Sequence, residues 1–233
     1  MSQKKLIPFI NAENEMPGSV ISLADRYACE GADGLYLYNF TGDEKSREEF
    51  LATVRQIEKK IDIPFYVGIY VARFEDAKKA LYTGASMVVM RKALLPVDKE
   101  LQEITDRFSK DKLALEVDMR ADFMTAEQLD EYYELGIGTA VLKHIDTTPS
   151  FSDTIAQTKM RVMVRDGLIR NDLAEILSYD TVSAVLTNYF EDKDIYKAKK
   201  ALKKKNVDVE VFESLIDFSD FKLLDNGLIP VVV

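Results

Sequence analysis

Polar and charged side chains follow short apolar runs at several points along the chain. Two carboxylates, Asp118 and Asp146, stand at or just after such runs, and His144 lies close before Asp146. A pair of carboxylates can do acid–base chemistry when one of them is shielded from water and its pKa rises, and a histidine carries protons near neutral pH. In the alternative interpretation, both acids cap the loops that follow them and His144 is a hydrogen-bonded strand-end residue. Further candidates at equivalent places are Asn11, Asn39, Gly68, Arg91, Arg165, Gly167 and Asn188.

The turns 68–70, Gly-Ile-Tyr, and 165–168, Arg-Asp-Gly-Leu, bear on phosphate binding. A phosphate loop needs several glycines, because bare backbone amides must reach the anion. Each turn holds one glycine, so an amide cradle is not expected. Arg91 and Arg165 would supply positive charge instead, as exposed point charges whose binding is weak and salt-sensitive. The candidate ligand-binding residues are therefore Gly68, Arg91, Arg165, Gly167 and Asn188.

Eight short, nearly continuous apolar runs alternate with longer amphipathic segments. Such runs are typical of strands buried on both faces, as in a parallel sheet covered by helices. In the segment 45–60, for example, one apolar stripe with three- and four-residue spacing predicts a helix. The eight runs are 6–10, 34–40, 64–70, 86–91, 113–118, 139–144, 161–166 and 183–188.

Eight βα units in this length give roughly 28 residues per unit, which favours a compact α/β protein, the (βα)8 TIM barrel. The alternative is an open doubly wound sheet, in which strands also alternate with helices. In a barrel the carboxyl ends of all strands meet at one mouth, where ligands bind. The polar residues that follow the runs are therefore expected to converge there.

Composition excludes several classes of function. The chain has 233 residues and a net charge of -9, which argues against a nucleic-acid surface. One cysteine and one histidine cannot form a cysteine-based zinc cluster or a two-histidine site, so we expect no metal and no cofactor. No apolar run approaches the ~20 residues of a membrane span, and no signal peptide is visible. The expectation is a soluble, cytoplasmic protein, in which the lysine-rich segment 197–205 is the solvated face of the last helix.

Several segments resemble one known family in collinear order. They are LIPFIN (6–11), ISLADRYACEGADGLYLYNFT (21–41), IPFYVGIYVARFEDAKKALYTGAS (63–86), LALEVDMR (113–120), AVLKHID (140–146) and YKAKKALKKKNVDV (196–209). Together they are similar to the histidine-biosynthesis barrels, specifically to the cyclase subunit of imidazole-glycerol-phosphate synthase. The resemblance covers roughly residues 4–212 and implies the phosphate-binding type of (βα)8 barrel.

The same resemblance assigns roles that this chain fills only in part. Asp118 matches the family's catalytic acid on the fifth strand, whereas Asn11 stands where the family has a catalytic aspartate. An amide cannot take up a proton as a carboxylate does. The long first loop with its essential lysine is also missing. These departures predict a barrel without catalytic activity. The alternative is an enzyme with altered chemistry on a sugar phosphate, using Asp118 with His144 or Asp146.

The tail 217–233 does not fit the barrel. Its segment FKLLDNGLIPVVV (221–233) is similar to the start of phosphoribosyl-AMP cyclohydrolase, an enzyme of the same pathway. We therefore predict a cyclase-like barrel over 1–216, followed over 217–233 by a linker and the truncated start of a cyclohydrolase-like domain. In its natural context the barrel would be fused to that hydrolase.

Overall fold

Strands and helices alternate along the chain. The computed structural model describes residues 3–145, 149–165, 173–188, 194–211, 221–224 and 227–230. The strands of its main sheet are β1 (Lys5–Ile7), β2 (Phe9–Asn11), β3 (Leu35–Asn39), β4 (Phe65–Ile69), β5 (Met87–Arg91), β6 (Leu113–Asp118), β7 (Thr139–Lys143), β8 (Arg161–Arg165) and β9 (Val182–Leu186). The α-helices are α1 (Pro17–Cys29), α2 (Glu44–Glu58), α3 (Phe74–Leu81), α4 (Asp98–Arg107), α5 (Ala126–Leu135), α6 (Pro149–Gln157), α7 (Leu173–Ser178) and α8 (Ile195–Lys204).

The first strand of the barrel is split into β1 and β2 at Pro8. β1 pairs with β9 and β2 pairs with β3, all in parallel, so the sheet returns on itself at the segment 5–11. Proline has no N–H to donate to a neighbouring strand, and the two halves pair on opposite sides of it. The predicted (βα)8 barrel is confirmed, with its first strand in two parts, and the alternative of an open doubly wound sheet is wrong.

Alternation along the strands creates two apolar layers. The outer layer joins the strands to the helices, as in α2, where the predicted stripe of Phe50, Leu51, Val54 and Ile57 is buried. A separate cluster fills the inside of the barrel. Its members are Ile7, Tyr36, Tyr38, Phe40, Tyr66, Met87, Val89, Ala114, Val141, Met163, Ala184 and Leu186. Three tyrosines and two methionines leave the barrel interior packed with side chains.

Helix α8 is fastened to the amino-terminal face of the barrel by a buried lysine. The Nζ of Lys199 donates to the carboxylate of Asp33 at 2.5 Å and to the carbonyl of Gly31 at 2.6 Å. The other Asp33 oxygen accepts the backbone N–H of Leu6 at 2.7 Å. Lys199 is buried. The expectation that 197–205 presents only solvated lysines is therefore wrong at this position, because a buried cation here pairs with a buried carboxylate.

The tail contains two strands that pair antiparallel. Its strands are β10 (Phe221–Leu224) and β11 (Gly227–Pro230), with Phe221 opposite Pro230 and Leu224 opposite Gly227. These strands belong to a sheet of their own. Among the described residues, no helix is both long and apolar enough to cross a membrane.

Candidate functional site

The ends of neighbouring strands bring several predicted site residues into one layer. Asp118 on β6 is in register with Lys143 on β7, and Lys143 is in register with Arg165 on β8. Residues in register on neighbouring parallel strands point to the same face of the sheet. Glu116 on β6 and Arg91 on β5 form a second pair in register, and Glu116 lies two residues before Asp118, deeper in the barrel. The predicted convergence of polar groups at the mouth is thus present for Asp118, Arg91 and Arg165.

Asp118 is the centre of a small charged cluster at this mouth. Nδ1 of His144 lies 2.9 Å from both carboxylate oxygens of Asp118, and Nζ of Lys143 lies 3.5 Å from one of them. The backbone N–H of Arg120 also donates to Asp118, at 3.2 Å. The side chains of Asp118 and His144 remain 33% and 39% exposed, so both are accessible to a ligand.

These contacts decide the protonation state of Asp118. Partial burial raises the pKa of its carboxyl, but the hydrogen bond from His144 and the charges of His144 and Lys143 together lower that pKa to about 2. The condition for acid–base work, a carboxyl with a raised pKa, is therefore not met at Asp118. Asp118 is a carboxylate at neutral pH and cannot donate a proton there.

Two predicted candidates, Asp146 and Gly167, lie outside the described residues. Their roles in acid–base chemistry and in ligand binding stay predictions.

The deeper layer contains a buried acid that the sequence analysis missed. Oε1 of Glu116 lies 3.1 Å from Nε of Arg91, and Oε2 lies 2.7 Å from Nη1 of Arg165. The hydroxyl of Tyr36 also donates to Oε2, at 2.9 Å. Only 2% of the Glu116 side chain is exposed. Glu116 therefore bridges the two arginines that were expected to bind a ligand.

The arginines themselves are held by aromatic rings. The guanidinium of Arg91 stands 3.8 Å from the ring centre of Phe40, and that of Arg165 stands 4.3 Å from the ring centre of Tyr38. Guanidinium groups stack favourably on such rings. The side chains of Arg91 and Arg165 are 30% and 8% exposed. The expectation that both are exposed point charges is wrong, because each one is stacked, ion-paired and at least partly buried.

Gly68 serves the packing of this layer. A Cβ atom at position 68 would lie 2.7 Å from the hydroxyl of Tyr36, 2.8 Å from Cβ of Tyr38 and 2.9 Å from the ring of Phe40. The glycine therefore makes room for aromatic side chains inside the barrel. Its predicted role toward a ligand stays a prediction.

The three predicted asparagines bind backbone groups or nearby hydroxyls. Asn188 accepts the N–H of Phe9 at 2.9 Å and donates to the carbonyl of Phe9 at 2.7 Å. Asn11 accepts the N–H of Glu13 at 2.9 Å, and Asn39 accepts both the N–H and the hydroxyl of Thr41. Asn188 thus completes the barrel where the first strand is split. Asn11 and Asn39 each fix the turn that follows their strand.

A cavity of about 210 Å³ opens beside the mouth, between the loop after β2 and helix α2. Its lining includes Asn14, Asn39, Ser46 and Thr53. None of the charged residues around Asp118 or Glu116 lines it, so this cavity is separate from the charged cluster. In the part of the chain that the structure describes, no group of three or more acidic, histidine or cysteine side chains is placed to hold a metal ion.

One signal in the sequence points to Glu116. It lies two residues before Asp118 in the run LALEVD, and alternation along a strand puts both on the same face. A charged residue within a strand buried on both sides needs a buried partner. Two cations end nearby strands: Arg91 ends the neighbouring strand β5, and Arg165 ends β8, which lies two strands away on the other side.

Comparison with known proteins agrees with this architecture. The family model described as "Histidine biosynthesis protein" matches residues 9–167. The chain is 33% identical over 120 residues to the imidazole glycerol phosphate synthase subunit HisF of Tolumonas auensis, which covers 51% of this chain and 47% of that protein. It is 29% identical over 141 residues to the same subunit from Proteus mirabilis, at 55% of each chain. In these two comparisons the matched part spans about half the length of the relative.

A longer alignment joins the chain to the HisF subunit of Nitrosopumilus maritimus. It is 24% identical over 266 aligned positions, and covers 91% of this chain and all of the relative. The family match begins in β2 and ends two residues beyond the last residue of β8, and covers more than half of the 233 residues. Together with the closed sheet of alternating strands and helices, this shows that the chain belongs to the histidine biosynthesis protein family.

Proposed function

We propose that this barrel is a non-catalytic member of the histidine-biosynthesis family, which serves as a scaffold or docking module for enzymes of that pathway. The observation that carries the proposal is the ion-paired layer beneath the mouth. There Glu116 binds both Arg91 and Arg165, and aromatic rings cover the guanidinium groups. These side chains fill the interior of the barrel beneath the mouth and leave no room for a substrate at this depth.

The chemistry of the remaining groups supports the same proposal. The side-chain oxygen of Asn11 is bound to the N–H of Glu13, and an amide does not accept a proton as a general base does. Asp118 is held as a carboxylate by His144 and Lys143, with its pKa lowered to about 2. A carboxylate with so low a pKa is a weak base, so neither position offers efficient proton transfer near neutral pH.

The tail segment and the names of the relatives support two kinds of partner for this barrel, a fused hydrolase domain and a second protein. The resemblance of 221–233 to phosphoribosyl-AMP cyclohydrolase supports a barrel of residues 1–216 fused to that hydrolase, so that hydrolysis would be the activity of the fusion. The relatives carry the name of a synthase subunit, which supports a docking role toward a second protein. Full-length protein assayed for cyclohydrolase activity tests the fusion, and a full-length chain without that activity would contradict it.

A second candidate function is an altered enzyme that acts on a sugar phosphate at the mouth. The observation in its favour is the Asp118–His144 pair, whose nitrogen and oxygens lie 2.9 Å apart and which remains accessible. In this function the carboxylate orients the imidazole, and the imidazole moves the proton.

One assay separates the two candidates. The purified chain is incubated with ammonia and the substrate of imidazole glycerol phosphate synthase, beside the Nitrosopumilus maritimus HisF relative as a positive control. The non-catalytic proposal expects no product above the rate without protein. Product formation that His144→Ala abolishes would overturn it in favour of the altered enzyme. Product formation that His144→Ala leaves unchanged would contradict both candidates.

A further inference from the structure

The side chain of Glu116 occupies a place that the surrounding groups equip for an anion. Each of its two oxygens faces a different guanidinium, Oε1 toward Arg91 at 3.1 Å and Oε2 toward Arg165 at 2.7 Å. The Tyr36 hydroxyl adds a third donor at 2.9 Å. Arginines and a hydroxyl that converge on two oxygens are the donors by which proteins bind carboxylates and other oxyanions. Here the oxyanion belongs to the chain itself.

The charges of this layer favour an anion strongly. Two guanidinium groups share one carboxylate. Burial first, and then the negative charge of Glu116, raise the pKa of Tyr36 well above its usual value, so that tyrosine stays neutral. Among these four side chains the net charge is therefore positive, within a chain whose net charge is -9. Without the Glu116 carboxylate, the buried Arg165 and the partly buried Arg91 would lose the counter-charge that they share, which is costly.

The donors are held in place by groups other than Glu116. Arg165 stacks on Tyr38 at 4.3 Å and on Phe9 at 4.7 Å, and Arg91 stacks on Phe40 at 3.8 Å. The hydroxyl of Tyr36 is fixed because its ring is fully buried in the barrel. The positions of the donors therefore do not depend on the carboxylate alone. The donors would already be in position to bind a free anion of similar size.

We propose that Arg91, Arg165 and Tyr36 form an oxyanion site for a carboxylate-sized ligand, and that Glu116 occupies it as a tethered internal ligand. The site is closed to outside anions in the native chain for this reason. The proposal concerns binding at this layer and does not depend on whether the barrel has enzymatic activity.

Acetate is the probe that tests the proposal, because the part of a glutamate side chain beyond Cβ has the heavy-atom shape of acetate. The variant Glu116→Ala removes that part and keeps every donor. Thermal unfolding and calorimetry are measured for the native chain and for the variant in sodium acetate, with sodium chloride at equal ionic strength as the control. A ligand that binds only the folded state raises the unfolding temperature.

The expected result is a saturable rise of the unfolding temperature of Glu116→Ala in acetate, with binding at least about tenfold tighter than to the native chain. The double variant Glu116→Ala with Arg165→Met should lose this response. Equal responses of the native chain and Glu116→Ala would overturn the proposal, as would a folded Glu116→Ala that responds to acetate no more than to chloride.

Glu116→Ala is itself at risk of not folding, since it leaves two cations without their partner. In that case the variant is refolded in acetate and in chloride at equal ionic strength, and the recovered soluble, folded fraction is measured. Recovery in acetate and not in chloride supports the proposal. Equal recovery in both salts, or recovery in neither, overturns it.

Discussion

The hydroxyl of Tyr36 lies 2.7 Å from the point that a Cβ atom of residue 68 would occupy. Tyr36 and Gly68 stand on the neighbouring strands β3 and β4, both inside the barrel. One of the largest side chains of the interior thus requires the smallest residue beside it. This pairing fills the barrel where the layer of Glu116 begins, since the same hydroxyl donates to Glu116.

Gly68→Ala should therefore destabilise the fold. The added methyl group would meet Tyr36, Tyr38 and Phe40 at distances below 3.0 Å. Overpacking of this kind costs about 1–3 kcal/mol of the free energy of unfolding. Urea denaturation of the variant and of the native chain measures the difference.

Gly18→Ala is the matched control for that substitution. A Cβ at residue 18 would have nothing within 4 Å, and the residue lies in the first turn of α1, where alanine favours the helix. Its free energy of unfolding should stay equal to that of the native chain or rise. A Gly68→Ala variant as stable as Gly18→Ala would show that the interior is loosely packed.

Asn188→Ala should weaken the closure of the barrel. The Asn188 amide satisfies both the N–H and the carbonyl of Phe9, next to the proline that splits the first strand. Loss of these bonds leaves partly buried backbone groups unpaired and should cost about 1–3 kcal/mol. Asn11→Ala is the comparison, since Asn11 is exposed and binds a single N–H, and its effect should be smaller. If denaturation shows equal stability for Asn188→Ala and the native chain, Asn188 does not close the barrel.

Loss of the ion pair between Lys199 and Asp33, at the amino-terminal face of the barrel, should strongly destabilise the fold. Lys199→Ala would leave the Asp33 carboxylate buried without its cation, and breaking a buried pair in this way costs about 3–5 kcal/mol. Lys203→Ala, on the exposed face of the same helix, should change the free energy of unfolding by less than about 0.5 kcal/mol. Thermal denaturation of the two variants side by side measures the contrast. If both variants lost the same free energy of unfolding, the ion pair of Lys199 with Asp33 would contribute nothing beyond what an exposed lysine of the same helix contributes.

The low pKa of Asp118 predicts how stability changes with pH. Its folded pKa of about 2 lies below the value of about 3.9 for an unfolded aspartate, so ionised Asp118 stabilises the fold. This contribution is complete above about pH 5 and is lost as the pH falls toward 2. Asp118→Asn should therefore be less stable than the native chain at pH 6, and the difference should shrink as the pH approaches 3.

The cause of that pH dependence is tested with His144→Ala. The hydrogen bond and charge of His144 lower the pKa of Asp118, so the variant should have a higher Asp118 pKa. In the His144→Ala background, the loss of stability caused by Asp118→Asn should be smaller and depend less on pH. An unchanged pH profile would assign the stabilising role to Lys143 instead.

The order of strands and helices was determined by the sequence alone. Continuous apolar runs such as 113–118 report burial on both faces, and the stripe on α2 reports one buried side, because side-chain alternation is a local property of the chain. The convergence of Asp118, Arg91 and Arg165 on one mouth also followed, since strand ends meet there in any barrel of parallel strands.

Which charges pair inside that mouth was decided by the tertiary structure. Glu116 and Arg165 are 49 residues apart, and Lys199 and Asp33 are 166 residues apart. No local pattern links residues so distant, and the energy of a buried charge depends on the partner that the fold brings within about 3 Å. The split of the first strand was also decided by the tertiary structure. Pro8 is visible in the sequence, but β1 and β2 pair with different neighbours only because the last strand, β9, returns to the first.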